Sequence, residues 1–317
     1  MSAVAVMQAL REAGHHVVPV GIDRDGKWHL ADPARSPMQA DGRTVVLEIP
    51  GGVLRADQDE LTVDCVFPVL HGPFGEDGTI QGALEMAGVP YVGCGVLPSA
   101  VAMDKDIAKR LLLAAGMQTA AWEVVRARDF SGSEGLVVDQ ITRSLGLPVF
   151  VKPSQLGSSV GVAKASTDAE LKDAIEEAFR LGPKVIVEEA IRGREIEVAV
   201  LEGPRVSNPG EIIIEAEWYD YSAKYDDETS RFVTPADLSA ARTTEVRELA
   251  AKAFTTLECS GLARVDFFYE QGGRGFLVNE INTMPGFTPI SGFPAMWQAS
   301  GMTYAELCHE LVTLALA

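Results

Sequence analysis

Positive charge is in short supply in this chain, and cysteine is scarcer still. Its 317 residues carry 27 Lys and Arg against 45 Asp and Glu, a formal net charge of −18 at pH 7. So acidic a field argues against nucleic acid or an anionic membrane as a partner. An anionic ligand would have to be met by a local cluster of cations and by metal ions. The cysteines, Cys65, Cys94, Cys259 and Cys308, have neither paired nor metal-ligand spacing, as expected of reduced core residues in a cytoplasmic protein. His15, His16, His29, His71 and His309 form no metal motif. The sequence has no run of about 18 apolar residues to span a membrane, and no basic-then-apolar start of the signal-peptide kind. Internal repeats and low-complexity linkers are also missing. With 47% hydrophobic and 7% aromatic residues, the composition is that of a globular protein of enzyme size.

A chain this long exceeds one ordinary core and predicts two or three subdomains. Val4, Met7 and Leu10, three apart, predict a helix over 3–13. Strands are expected at 16–21, 45–49 and 64–70, then a helix at 76–87 and a short strand at 91–92, an alternation of the parallel-sheet kind. A middle block follows, with a helix at 103–115, strands at 122–125, 149–152 and 160–163, and a helix at 168–180. The last block has strands at 185–189, 195–201 and 212–215, a helix at 243–257, a hairpin, and helices at 293–299 and 303–314.

That hairpin carries the most chemistry. From Arg264 the chain reads Arg-Val-Asp-Phe-Phe-Tyr-Glu, a Gln-Gly-Gly-Arg-Gly turn, then Phe-Leu-Val-Asn-Glu-Ile-Asn-Thr-Met-Pro-Gly-Phe-Thr, two apolar runs about a glycine turn. Alternation puts Glu280 and Asn282 on one face, and Asp266 can point to the same face. Two carboxylates and an amide in an apolar sheet lose hydration and repel. A hard divalent cation removes that conflict, since Mg²⁺ takes oxygen ligands and bridges to phosphates. A solvated outer face is the competing reading, for which Val265, Phe267, Leu277 and Ile281 leave little room.

A second constellation runs from 149 to 162, Val-Phe-Val-Lys-Pro-Ser-Gln-Leu-Gly-Ser-Ser-Val-Gly-Val. Lys152 ends a strand, and a loop containing Gly157, Ser158, Ser159 and Gly161 leads to the next. This is not a Walker loop. A flexible hairpin loop can instead lay backbone N–H groups and two hydroxyls over a phosphate chain as an anion nest, with Lys152 and Lys105 neutralising phosphate oxygens. A plain glycine-serine hairpin competes with that reading. Glu188, Glu189 and Ile191 close a strand where backbone groups and Glu188 can meet an adenine edge, and Glu195 could accept from ribose hydroxyls. Plain surface charge is the alternative for these acids. The aromatic stretch 218–227, Trp-Tyr-Asp-Tyr-Ser-Ala-Lys-Tyr-Asp-Asp, suits a lid that excludes water from phosphoryl chemistry.

Taken in order, Leu-His71-Gly with Gly-Glu-Asp-Gly, Met-Asp-Lys105, Val-Lys152-Pro, Gly-Ser158-Ser159-Val-Gly, Tyr-Asp-Tyr-Ser-Ala-Lys224-Tyr225, Ala-Arg264-Val-Asp266 and Asn-Glu280-Ile-Asn282-Thr-Met-Pro-Gly286 resemble the D-alanine–D-alanine ligases of the ATP-grasp superfamily, from about residue 2 to the end. The resemblance implies an α/β three-subdomain ATP-grasp fold. Residues 1–97 would be a substrate-binding domain with a Rossmann-like parallel sheet, 98–184 a central subdomain with the glycine-rich loop, and 185–317 a C-terminal subdomain with the metal and catalytic residues. It implies ATP-dependent joining of two D-alanines through an acyl phosphate for peptidoglycan synthesis, in a cytoplasmic homodimer that engages neither nucleic acid nor membrane.

The same resemblance assigns roles. Asp266, Glu280 and Asn282 would hold two Mg²⁺ or Mn²⁺ ions, and Lys105, Lys152 and Lys224 would cradle the phosphates under Gly157 and Ser159. Glu188, Glu189, Ile191, Glu195, Phe268 and Asn279 would complete the ATP site. Arg264 and the Gly286 N–H would form an oxyanion hole, with Ser158 and Tyr225 joined in the catalytic lid contact. His71 would lie near the first D-alanine's carboxylate; Ser291, with Asn282 and Gly286, would hold the second. His71 read alone would be a core histidine. Two departures stand out: the family's opening strand and Gly-Gly-x-Ser-x-Glu loop are not in this sequence, and Gly292 follows Ser291 where a larger apolar residue is usual. Two alternatives remain, a non-ligating ATP-grasp nucleotide-binding protein and a ligase whose acceptor is D-serine or D-lactate.

Overall fold

The computed structural model describes residues 2–32, 39–157, 159–214 and 230–317. Ser158, Lys224, Tyr225 and the rest of the expected lid lie outside the described residues. Three sheets organise the remainder.

Helix α1 (Ser2–Glu12) buries Val6, Met7, Ala9 and Leu10. After it, β1 (Val20–Ile22), β2 (Trp28–Leu30), β3 (Thr44–Leu47), β4 (Leu54–Ala56) and β5 (Asp59–Leu61) form an antiparallel sheet in sequence order, closed over Val45, Leu54 and Ala56. This corrects the expected parallel sheet. The links at 23–27, 48–53 and 57–58 are too short for the crossover that parallel pairing needs, so β1 with β2, β3 with β4, and β4 with β5 return antiparallel. Of the expected parallel partners, Val66 and Tyr91 alone meet, as an isolated parallel bridge. Helix α2 (Thr79–Ala87) starts later than expected because Asp77 accepts from the Phe74 and Thr79 backbone N–H groups and holds 74–78 as a turn.

The expected helix at 103–115 is preceded by another. Between α3 (Val96–Met103) and α4 (Lys105–Ala114), Asp104 adopts an extended conformation and its side chain accepts from Ile107 N, ending one helix and capping the next. Then come β6 (Trp122–Arg126), α5 (Ala127–Phe130), α6 (Glu134–Leu145), β7 (Val149–Pro153), β8 (Ala163–Ala165), α7 (Asp168–Ala178) and β9 (Lys184–Glu189). The strands pair antiparallel in the order β6-β9-β7-β8, over a core that includes Val138, Ile141, Leu171 and Ile175. Two expectations change here. The strand expected at 160–163 begins only at Ala163, since Ser159 and Gly161 take φ of 55° and 71°, which turn the chain rather than extend it. Strand β9 lies between β6 and β7, so the boundary expected at 184/185 cuts through this sheet.

The largest sheet is built from β10 (Arg194–Leu201), β11 (Arg205–Val206), β12 (Gly210–Ile214), β13 (Ser230–Val233), β14 (Leu262–Glu270) and β15 (Gly275–Asn282), with helices α8 (Ala240–Thr256), α9 (Gly292–Ala299) and α10 (Tyr304–Leu316). Its order is β13-β12-β10-β14-β15, with β11 on β10. One face, carrying Ile196, Val198, Val265, Phe267 and Ile281, packs on Val246 and Ala250 of α8 and on Ala108 and Leu112 of α4. Helix α4 therefore shares this core although it falls in the expected central block. On the other face Ala199, Leu201 and Leu262 join α9, α10 and α1, and the rest of that face is polar.

Candidate active site

The polar face is aligned by the β14–β15 register. A shift between Asp266 and Phe267 leaves Asn279 as an extra residue, a β-bulge that re-aims the side chains beyond it. Glu280 then pairs with Asp266 and Asn282 with Arg264, while on the other side of β14 Glu197 pairs with Asp266 and Glu195 with Phe268. Directly opposed residues of antiparallel strands share a face. Arg264, Asp266, Glu280 and Asn282 are thus brought together. Arg264 binds Asp266 through Nε to Oδ1 and Nη2 to Oδ2, both 2.7 Å, and Asn282 Nδ2 donates to Asp266 Oδ2 at 2.9 Å. Although burial works against its charge, Asp266, Glu197 and Glu280 raise the Arg264 pKa further above its ordinary value.

Lysines from the central sheet and α4 face this cluster. Lys105 Nζ lies 3.6 Å from Glu280 Oε2 and donates to the Leu156 carbonyl at 2.6 Å; its own N–H donates to Ser154 O at 3.0 Å. The loop before Gly157 is thereby tied to the start of α4. Lys152 is ion-paired with Glu188, which also meets Lys109 Nζ at 2.6 Å. Glu188, expected at the adenine edge, thus has each carboxylate oxygen against an ammonium group. Glu189 is similarly engaged, its Oε1 accepting from Ala121 N and Arg274 Nη1, each at 2.7 Å. Ile191 joins Ala120, Leu277 and Phe268 in a small apolar cluster at this end, and Glu195 stands beside Phe268 across the sheet.

At the opposite end, His71 Nδ1 donates to the Met284 carbonyl at 3.0 Å and lies 3.8 Å from Glu76 Oε1. The Glu76 carboxylate beside it, against the effect of burial, raises its pKa. The Thr288 N–H donates to Ser291 Oγ at 3.0 Å, and a Cβ on Gly286 would lie 3.3 Å from that same oxygen, so the 286–291 turn is closed tightly. Gly157 stands near Glu76, whose Oε2 would be 3.7 Å from a Cβ there. Sequence reading missed Lys109, Glu197 and Glu76. The first two carried a signal: Lys109 is one helical turn after Lys105, and Glu197 follows Glu195 on the same strand face.

An apolar end, lysines beside a glycine-serine loop, a carboxylate–arginine–amide face and a tight glycine turn follow one another across the site, on the mixed α/β fold of an ATP-grasp enzyme. Residues 1–94 match the D-ala D-ala ligase N-terminus family and residues 111–313 the D-ala D-ala ligase C-terminus family. The chain is 46% identical to the D-alanine--D-alanine ligase of Streptomyces coelicolor, over all of this chain and 88% of that one, and 43% identical to that of Geobacillus kaustophilus, over 99% and 89%. Among solved structures it is similar to the D-alanine-D-alanine ligase of Coxiella burnetii (TM-score 0.86, 37% identity, covering 99% and 88% of the chains). It is also similar to the VanG D-Ala:D-Ser ligase of Enterococcus faecalis (0.87, 34%, 99% and 94%). The chain belongs to the D-alanine–D-alanine ligase family.

Proposed function

We propose that the protein joins two D-alanines to D-alanyl-D-alanine with ATP, for peptidoglycan precursor synthesis in the cytoplasm. The observation that carries this reading is the single sheet face on which Arg264, Asp266, Glu280 and Asn282 meet, with Lys105 beside it. ATP would lie with its base toward Ile191, Leu277 and Phe268, and near Glu188, Glu189 and Asn279, its ribose toward Glu195. Lys105, Lys152 and Lys224 oppose the phosphate charge, and Gly157, Ser158 and Ser159 cover it. The first D-alanine's carboxylate oxygen attacks the γ-phosphorus, ADP leaves, and an acyl phosphate results. The second D-alanine's amine attacks that carbonyl, loses a proton, and phosphate departs as the peptide bond forms. Arg264 and the Gly286 N–H hold the oxygen that becomes negative, and His71 and Ser291 orient the two substrate carboxylates, with Tyr225 and Ser158 closing over them.

The donor set on this face, carboxylates and an amide, suits Mg²⁺ or Mn²⁺, and Asp266 already draws donors to both its oxygens. Among the described residues no group of three His, Cys, Asp or Glu stands ready to hold a metal. Asp266, Glu280 and Asn282 would hold two such ions, which would supply charge neutralisation at the β- and γ-phosphates. Among the described residues no helix is long and apolar enough to cross a membrane. We expect a cytoplasmic homodimer that binds no nucleic acid.

ADP release measured with Mg²⁺ and ATP, with and without D-alanine, tests the proposal, with mass spectrometry of the product. D-alanine-dependent release and the dipeptide are expected; ATP binding without either would leave a nucleotide-binding protein. The likeness to a D-Ala:D-Ser ligase favours D-serine as a second acceptor. Competition between D-alanine and D-serine in the same assay decides it.

A further inference from the structure

Glu197 has no role in the reading above, yet it is buried to 5% exposure within the polar face. Its place is kept open by two glycines. Gly210 is its cross-strand neighbour on β12, and a Cβ on Gly292 would lie 2.5 Å from Glu197 Oε2. The Phe232 ring covers both, at 2.2 Å from a Cβ on Gly210 and 3.3 Å from one on Gly292. Gly292 is the first residue of α9, so the carboxylate lies against the first turn of that helix, at its positive end. The same oxygen, Oε2, also faces Arg264, whose Nε lies 3.4 Å from it. A buried carboxylate costs more than a packed apolar side chain unless it is paired, and here the surrounding residues make room for the charge rather than for bulk. This also accounts for the glycine after Ser291, which the family pattern left unexplained.

Arg264 is claimed by two carboxylates. Asp266 holds it bidentately and uses both oxygens to do so, but Asp266 is also a proposed cation ligand. We propose that Glu197 is the positioning residue that keeps Arg264 aimed at the reacting carbonyl once Asp266 turns to the cation, and that links it to the N-terminus of α9 beside the acceptor turn. This inference rests on the ligase reading.

The test is Glu197→Gln, which keeps the shape and removes the charge. In the wild type the Arg264 Nε–H resonance, assigned by its loss in Arg264→Lys, is expected both in the free protein and with Mg²⁺ and ADP. In Glu197→Gln it should persist in the free protein and broaden away with Mg²⁺ and ADP. D-alanine-dependent kcat should fall by about 10- to 100-fold, the scale of a misplaced group. The KM for ATP should stay within about twofold. Should Glu197→Gln not fold, Gly292→Ala displaces the same carboxylate and should give the same pair of changes. A resonance that survives Mg²⁺ and ADP, with kcat within threefold of wild type, overturns the proposal. Loss of stability with normal kcat would also overturn it. If the wild type itself releases no ADP with D-alanine, the ligase reading fails, while the resonance still reports on the Glu197–Arg264 contact.

Discussion

Lys109 Nζ lies 2.6 Å from Glu188 Oε1, with the two side chains 1% and 3% exposed. Lys152 takes the other oxygen of the same carboxylate. Burial works to raise the Glu188 pKa, but the two ammonium groups outweigh it and hold the carboxyl down at about 2. Burial also lowers the Lys109 pKa, which Glu188 opposes. Lys109 further donates to the Ala120 carbonyl at 3.3 Å and stands 5.4 Å from the centre of the Trp122 ring. A lysine without substrate contact in the proposed chemistry thus fixes the carboxylate that fixes Lys152.

Replacing Lys109 by Met should leave Glu188 with one cation in a closed site. Breaking a buried pair from one side costs about 3–5 kcal/mol. Urea unfolding should register that loss, and calorimetry should find weaker ATP binding as Lys152 loses its fixed partner. Unchanged stability and ATP affinity would show that the pair does not organise the site.

The low Glu188 pKa sets an acid response. An unfolded glutamate titrates near about 4.3, above the folded value of about 2. The stabilisation from this group is therefore fully present above that unfolded pKa and is lost as pH falls from there toward 2. Unfolding free energies followed from pH 6 to pH 2.5 should fall less steeply in Glu188→Gln than in the wild type, with the difference confined to that acid window.

His71 should behave in the opposite sense. Its folded pKa is raised, first by the neighbouring Glu76 carboxylate, so the stabilisation it brings is complete below the unfolded value near about 6.5. It is lost as pH rises through the raised folded value. An NMR titration should find His71 protonated above pH 6.5, and Glu76→Gln should bring its midpoint down. A midpoint that ignores Glu76 would remove this pair from the site's electrostatics.

Arg264→Lys keeps a cation but not the two parallel donors that meet Asp266. If Arg264 steadies the oxygen of the tetrahedral intermediate, kcat should drop by about 10²–10³-fold. ATP binding should remain near wild type. Steady-state kinetics with separate ATP calorimetry would distinguish this from a general loss of the site, in which both would fall.

Much of the site was legible because it is built on strands. The two-residue alternation that predicts Glu280 and Asn282 on one face is a local rule, and it puts Asp266 and Arg264 opposite them once the hairpin forms. The Lys152 strand and the glycine-serine loop were read from equally local signals. The N-terminal sheet was misread for the converse reason. Short strands at 20–22, 28–30 and 44–47 leave too little periodicity to give direction, and an alternation of strands and helices suggested parallel pairing where the sheet is antiparallel. Helix α3 (Val96–Met103) had no counterpart in the sequence reading, which began its helix at 103, one residue ahead of the capping Asp104.

The sequence alone determined the residues that can meet phosphate and metal, because the chemistry of carboxylates, lysines and glycine loops is written in their types and spacing. Which of them pair is a matter of distance across the fold. Glu188 with Lys109, Glu189 with Arg274, and Glu197 with Arg264 and Gly292 are joined only when strands and helices far apart in the chain are packed together. Low-dielectric burial then makes those few contacts dominate the charge of each group. That burial exists only in the tertiary structure.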